Sequence, residues 1–136
     1  MKRTFFYPCH PRGQGRPRFS GKVAYKSSED RAYEKAILMA YYAAYPGKSP
    51  IQGPFVIRVT ACYPIPKSAS KAERADMLAG RTVPTVKPDI DNVLKAVLDA
   101  LNGAAFTDDK NAFMILAQKV YSETPGILVE IKDTRE

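Results

Sequence analysis

The spacing of apolar residues changes several times along the chain, and each change predicts a different element. Residues 2–7 and residues 54–64 are rich in β-branched and aromatic side chains, and the second run alternates apolar and polar positions, so both predict strands. Between them, apolar residues recur at helical intervals from Ser27 up to the Pro46-Gly47 pair, which stops the pattern. The first half of the chain is therefore predicted to be strand, helix, strand.

The second half contains two more helical patterns and two more strands. A capping-box pattern that begins at Ser70 predicts a short helix, and a strongly amphipathic pattern predicts a helix over residues 92–102 with Asp91 as its N-cap. Residues 112–121 and 127–131 predict two strands that form an antiparallel hairpin. If the short helix lies outside the core, this order of elements predicts an α+β domain with one small mixed sheet and flanking helices.

Length and composition limit the kind of protein. The chain has 136 residues, 45% of them hydrophobic, so we expect residues 1–136 to form a single domain. No stretch serves as a signal peptide or approaches the roughly 18 apolar residues of a membrane span, so we expect a cytoplasmic protein. Cys9 and Cys62 are expected to be reduced thiols, and His10 lacks a second ligand pair at zinc-binding spacing.

Charge is unevenly distributed along the sequence. Residues 1–87 contain 16 Lys/Arg and 5 Asp/Glu, a net charge of +11, whereas residues 88–136 contain 5 and 9, a net charge of −4. Phosphate backbones bind basic surfaces through counterion release, so the first region predicts a nucleic-acid partner. Residues 8–26, rich in glycine and proline, are predicted to be a mobile basic loop, and residues 67–87 a second basic region. The candidate nucleic-acid contacts in these regions are Arg12, Arg16, Arg18, Lys22, Lys67, Lys71, Arg74, Arg81 and Lys87. Taken alone, either region is equally well explained as a solvated loop or linker.

Acidic residues concentrate around the start of the long predicted helix. Asp89, Asp91 and the pair Asp108/Asp109 flank Lys95 in the sequence. Gathered carboxylates repel one another and raise one another's pKa unless a cation lies among them, which indicates a divalent metal. If the chain stays extended from residue 89 to residue 91, the two aspartates point to one side about 7 Å apart. Metal-bound carboxylates with a nearby ammonium group suit phosphodiester hydrolysis. An ordinary N-cap and a surface salt bridge are the alternative explanations, and spacing does not separate Asp108 from Asp109.

The same residues resemble a known family. The block DIDNVLKAVLDALNG, followed by FTDD, is similar to the signature of the RusA family of Holliday junction resolvases, and GRPRF and PIPKSASKAER resemble its phage-type members. The resemblance implies that Asp89, Asp91 and Asp109 bind Mg²⁺ or Mn²⁺ and that Lys95 is required for cleavage. It places Asn92 in the same motif, as a further candidate contact with nucleic acid. It also implies a homodimer that makes paired nicks in branched DNA, at four-way junctions.

The resulting hypothesis is a metal-dependent endodeoxyribonuclease that resolves Holliday junctions in DNA recombination, repair or phage DNA processing. A general nuclease for flaps and forks with the same architecture is one alternative. A non-catalytic DNA-binding regulator is another, although it leaves the clustered aspartates unexplained. A sugar-nucleotide enzyme that binds its metal through the DxD pattern is disfavoured by the short chain.

Overall fold

The computed structural model describes residues 1–135, which form six strands and three α-helices. In chain order the elements are β1 (Lys2–Pro8), β2 (Arg18–Ser20), β3 (Val23–Tyr25), α1 (Ser28–Ala44), β4 (Phe55–Pro64), α2 (Lys71–Leu78), α3 (Ile90–Leu101), β5 (Ala112–Ser122) and β6 (Gly126–Asp133). A short 3-10 helix, Asp109–Asn111, leads into β5. The α+β class and the small single domain predicted from the sequence are confirmed.

Four strands form one mixed sheet in the order β1-β6-β4-β5. Strand β6 pairs antiparallel with both β1 and β4, whereas β5 pairs with β4 in parallel. The short strands β2 and β3 form a separate antiparallel hairpin, with Gly21 at its turn in the left-handed region (φ 64°). A mixed sheet with flanking helices was the expected architecture.

The predicted hairpin between β5 and β6 is wrong. The two strands lie on opposite sides of β4: Pro64 pairs with Ser122 of β5, and Cys62 pairs with Gly126 of β6. The turn between β5 and β6 therefore carries the chain past the end of β4. Because β4 is buried along most of its length, its backbone groups need hydrogen-bond partners on both edges. Local patterns identified the two strands but carried no information about the strand inserted between them.

One face of the sheet packs against α1 and α3 and forms the core. The predicted inward face of β4 is confirmed, and its members are all buried: Phe55, Ile57, Val59, Ala61 and Tyr63. The amphipathic helix α3 contributes Val93, Val97 and Leu101, each completely buried. Each such side chain stabilises the fold by about 1.5–3 kcal/mol relative to an exposed position. This packing fixes α3 across the sheet and so fixes where its first turn lies.

Local capping determines where the helices begin. Ser27 accepts a hydrogen bond from the Asp30 N–H, and the capping box predicted at Ser70 is present. Helix α3, however, begins two residues earlier than predicted, so Asp89, and not Asp91, occupies the N-cap position. The Asp89 backbone is extended and its carbonyl accepts the N–H groups of Asn92 and Val93, which starts the helix at Ile90. The expectation of an extended chain from residue 89 to residue 91 is therefore wrong.

Within residues 1–135, no helix has the length and apolar character needed to cross a membrane. Cys9 and Cys62 are free thiols.

Candidate functional site

Two unpaired carboxylates mark the first turn of α3. Asp89 and Asp91 are both exposed, and neither side chain has a hydrogen bond or an ion pair within the described part of the chain, residues 1–135. The Asp89 side chain leaves the helix N–H groups uncapped. A helix N-terminus has a positive partial charge and free donors, so it attracts anions, while free carboxylates bind hard cations. The same turn can therefore accommodate a cation and a phosphate oxygen.

Residues of two adjacent strands hold the segment that precedes Asp89. The Tyr63 hydroxyl donates to the Pro88 carbonyl over 2.7 Å. Lys119 donates through Nζ to the Val86 carbonyl over 2.6 Å and lies 5.2 Å from the centroid of the Tyr63 ring. Burial, and then the negative charge of Asp89, raise the pKa of Tyr63. Tyr63 and Lys119 were not identifiable from the sequence, because both are strand residues whose hydrogen-bond partners are distant in sequence.

Lys95 lies one helical turn after Asp91, as predicted. Its side chain is exposed and makes no ion pair within residues 1–135, either with Asp91 or with Asp99. The ammonium group is therefore available to a substrate on the same side of α3 as Asp91. Lys95 forms no direct salt bridge, although its positive charge, after the hydrogen bonds from Gln14 and Lys26, also lowers the pKa of Asp99.

The two adjacent aspartates after α3 have different surroundings. The Asp108 carboxylate accepts the Lys110 N–H over 3.0 Å, and this bond holds the pKa of Asp108 below its usual value. Partial burial, then the hydrogen bond and charge of Asp108, and then the charge of Asp99 raise the pKa of Asp109. The Asp109 N–H donates to Oδ1 of Asn102 over 3.0 Å, which places it beside the end of α3. Asp108 thus caps the 3-10 helix, and the Asp109 carboxyl is hydrogen-bonded to Asp108.

The structure brings together only part of the predicted acidic cluster. Asp89 and Asp91 lie at the start of α3. The neighbours of Asp109 are Asp108, next to it in the sequence, and Asp99, near the other end of α3. Across residues 1–135, no group of three or more His, Cys, Asp or Glu side chains is arranged to hold a metal ion. The assignment of Asp89, Asp91 and Asp109 to one ion stays a prediction.

The basic segment between β1 and α1 has hydrogen bonds to both helices; as expected, residues 9–17 have no regular structure, but the short hairpin that follows them was not predicted. Arg12 donates through Nη2 to Oδ1 of the buried Asp30 over 2.9 Å, and the Gly15 N–H donates to the other oxygen over 3.2 Å. Residues 18–25 then form the β2-β3 hairpin. The hydrogen bonds of this segment come from residues distant in sequence, so they were not predictable from its glycines and prolines.

A second set of polar contacts joins the same segment to α1 and α3. Lys26 donates through Nζ to Glu34 over 2.9 Å and to Asp99 over 3.0 Å, and Gln14 donates through Nε2 to Asp99 over 2.6 Å. Burial raises the pKa of Asp99, but the hydrogen bonds from Gln14 and Lys26 outweigh it, so the pKa lies below its ordinary value. Asp99, on the polar side of α3, therefore binds the basic segment to this helix. Gln14 and Lys26 had no signal in the sequence that distinguished them from solvated residues.

Backbone contact brings the basic segment next to the carboxylates. The Gln14 N–H donates to the Asn92 carbonyl over 3.0 Å, and a Cβ on Gly13 would lie only 2.9 Å from the Cβ of Asn92. A cleft of about 560 Å³ opens at this junction. Its lining residues are His10, Pro11, Arg12, Gly13, Gln14, Lys87, Pro88, Asp89 and Asn92. Basic side chains and the Asp89 carboxylate thus share one concave surface.

The predicted nucleic-acid contacts divide into two groups. Ion pairs within the protein engage three of them: Arg12 with Asp30, Arg74 with Glu123, and Arg81 with Asp76. The others are exposed and make no ion pair within residues 1–135: Arg16, Arg18, Lys22, Lys67, Lys71 and Lys87. Free surface cations gain most from phosphate neutralisation, so the second group is the stronger set of candidates.

The buried Asp30 carboxylate, which binds the basic segment, should make the free energy of unfolding depend on pH in the acid range. Burial raises the pKa of Asp30, but the hydrogen bonds from Arg12 and the Gly15 N–H outweigh this effect, so the folded pKa lies below its ordinary value of 3.8. A lowered folded pKa adds stability above the unfolded pKa, and this contribution disappears as the pH falls through the folded pKa. Below pH 3.8, we expect the free energy of unfolding, measured in urea, to decrease more steeply with falling pH in the parent than in Asp30→Asn. A constant difference between the two proteins would contradict this role.

The geometry defines a class: a small α+β protein with exposed carboxylates at a helix start beside a basic cleft, a combination typical of enzymes that act on nucleic acids. The family described as Endodeoxyribonuclease RusA matches residues 8–132, and the chain belongs to this family. A relative is the uncharacterised protein YqaN of Bacillus subtilis (strain 168), 35% identical over 128 residues that cover 90% of each chain. The protein is therefore a RusA-family endodeoxyribonuclease, a nuclease of the Holliday junction-resolving family.

Proposed function

We propose that this chain, as a single domain over residues 1–136, is a divalent-metal-dependent nuclease that cuts branched DNA at four-way junctions. The observation that supports it best is the pair of unpaired carboxylates, Asp89 and Asp91, at an open helix N-terminus beside a basic cleft. Such a site binds a cation and a phosphodiester side by side. Recombination, repair or phage DNA processing in the cytoplasm is the setting that fits this chemistry.

The residues present suit Mg²⁺ or Mn²⁺, which prefer carboxylate oxygens. Asp89 and Asp91 would hold the ion, with Asp109 as the third proposed ligand. The bound ion supplies charge neutralisation at the phosphate and a water of lowered pKa. Lys95 donates a hydrogen bond or a proton to the leaving oxygen, and the open N–H groups of α3 orient a phosphate oxygen.

A junction has two-fold symmetry and needs two cuts, so a homodimer with one site in each subunit matches its substrate. The free basic residues of the β2-β3 hairpin, together with Lys67, Lys71 and Lys87, hold the phosphate backbone on either side of the carboxylates. Asn92, in the first turn of α3 and in the wall of the cleft, is a further proposed contact.

A cleavage assay on defined substrates tests this proposal. Purified protein is incubated with synthetic four-way, three-way, flap and linear duplex DNA, in Mg²⁺, in Mn²⁺ and in chelator. We expect paired nicks in the four-way junction only with metal. Equal cutting of flaps and forks would point to a general branched-DNA nuclease, and binding without cutting in either metal would point to a regulator.

The exposed arginines around β2 should contribute to binding affinity more than to chemistry. We expect Arg16→Gln with Arg18→Gln to weaken binding to all DNA forms and to reduce the slope of log affinity against log salt by about 0.9 for each lost phosphate contact. The matched control is Lys35→Gln with Lys48→Gln, which removes the same charge from exposed positions outside the proposed surface. An equal slope for both double variants and the parent would move the DNA contact to residues 67–87.

A further inference from the structure

The β2-β3 hairpin exposes apolar side chains on both of its faces. Every residue of its two strands is exposed, so no other element within residues 1–135 covers either face. The register of the strands places Phe19 on one face and Val23 with Tyr25 on the other. Phe19 and Val23 are each 67% exposed, and Tyr25 is 40% exposed. Because a two-stranded hairpin without packing is only marginally stable, these side chains indicate a partner outside the domain.

Both ends of the hairpin are held by the helix that carries the carboxylates. Before β2, the Gln14 N–H donates to the Asn92 carbonyl in the first turn of α3. After β3, Lys26 donates through Nζ to Asp99 of the same helix. Asp99 follows Asp91 by about two helical turns, so the two residues lie on the same side of α3. The hairpin therefore begins and ends next to the proposed site of cleavage.

Positive charge surrounds the apolar side chains of the hairpin. Residues 1–28 contain seven Lys/Arg and no Asp/Glu. Arg16, Arg18 and Lys22 are exposed and make no ion pair within residues 1–135. A second hairpin of the same kind would bring like charges together, so it does not suit this surface. The complementary partner is a polyanion that also offers apolar surface.

Branched DNA offers both kinds of surface at one point. In a linear duplex the base pairs stack without interruption, whereas at a branch point the arms diverge and the faces of their last base pairs become accessible beside the phosphates. Apolar side chains enter such steps in proteins that bend or open DNA, and aromatic side chains stack on exposed bases. A hairpin with apolar side chains on both faces can contact the ends of two arms at once.

We propose that residues 18–25 form a wedge that inserts Phe19 and Val23 between the base pairs at the branch point, while the neighbouring cations hold the phosphates on either side. The inference rests on the proposed function, because it names the part of that site that distinguishes branched from linear DNA. Phe19 and Val23 determine specificity and take no part in the cleavage chemistry of the aspartates.

Equilibrium binding in chelator, where the DNA stays uncut, gives the first test. The parent and each variant are titrated with a synthetic four-way junction and with linear duplex of the same sequence. We expect Phe19→Ala to lower the ratio of junction affinity to duplex affinity at least about fivefold, because alanine substitution of a base-stacking aromatic costs at least this much. Phe19→Tyr, which keeps the ring, should retain the parent ratio. The matched control is Met39→Ala on α1, since Met39 is 55% exposed and should leave the ratio unchanged.

A fluorescent base at the branch point reports insertion directly. The base analogue 2-aminopurine emits more strongly when it is unstacked from its neighbours. With this analogue beside the branch point, we expect saturating parent or Met39→Ala to increase the emission, and saturating Phe19→Ala to give less than half of that increase.

Three outcomes would overturn the wedge. The first is an affinity ratio in Phe19→Ala equal to that of the parent, and the second is an equal increase in emission. The third is an equal loss of affinity for junction and duplex, since the side chain would then only support the hairpin. A parent that binds the junction no better than the duplex would contradict the junction selectivity of the proposed function as well. Cleavage in metal is measured separately and bears on the proposed function alone.

Discussion

Asp91→Asn should reduce cleavage of a four-way junction at least about 100-fold, which corresponds to about 2.7 kcal/mol in the activation barrier. The substitution keeps the size of the side chain but removes the charge of a proposed metal ligand from the first turn of α3. Junction binding should persist or tighten, because a negative charge that faces phosphate is lost. Single-turnover cleavage and gel-shift titration of the same preparation measure the two effects.

The neighbouring aspartates provide the comparison. Asp89→Asn and Asp109→Asn should behave like Asp91→Asn if all three hold the ion. Asp108→Asn is the matched control and should be milder, since the Asp108 carboxylate is engaged by the Lys110 N–H. If Asp91→Asn cuts the junction at the parent rate in saturating Mg²⁺, the assignment of Asp91 as a metal ligand is wrong.

Lys95→Ala should slow cleavage at least about tenfold, or about 1.4 kcal/mol in the barrier. Its ammonium group lies one turn from Asp91 and makes no ion pair within residues 1–135, so we expect it to act on the leaving oxygen. The measurement is the single-turnover rate at saturating protein and metal. Thermal unfolding should change little, because the residue is exposed.

Lys35→Ala is the control for a general loss of positive charge, since Lys35 is an exposed lysine on α1. We expect it to cut at the parent rate. If Lys95→Ala also cuts at the parent rate, Lys95 is a solvated surface residue, and proton donation to the leaving oxygen has to come from water on the metal.

Elements defined by local interactions were predictable from the sequence. The capping box at Ser70, the N-cap at Ser27 and the apolar face of β4 depend on residues a few positions apart, and the structure contains all three. Strand order was not predictable, because pairing of β4 with both β5 and β6 depends on contacts between residues 57 to 78 positions apart in the sequence. A turn at Pro125-Gly126 looks the same in the sequence whether it closes a hairpin or passes a third strand.

The same holds for the candidate site: residues close together in the sequence were predictable, and residues distant in sequence were not. Asp89, Asp91 and Lys95 were identified because they lie within seven residues of one another, although the helix start was placed two residues too late. Either aspartate has the side chain that an N-cap prefers, so local preference could not choose between them. Tyr63 and Lys119 were missed, because each acts through a carbonyl oxygen 25 or more residues away in the chain.

The contact at Gly13 fixes the distance between two parts of the proposed site, the basic segment and the carboxylates. Because no side chain fits between Gly13 and Asn92, the two backbones touch, and Gln14 bonds directly to the Asn92 carbonyl. The separation between the basic segment and the carboxylates is thus set by main-chain contact and not by the changing conformations of long charged side chains. If the basic segment holds the DNA backbone as proposed, we expect this fixed separation to determine which phosphodiester lies at the carboxylates.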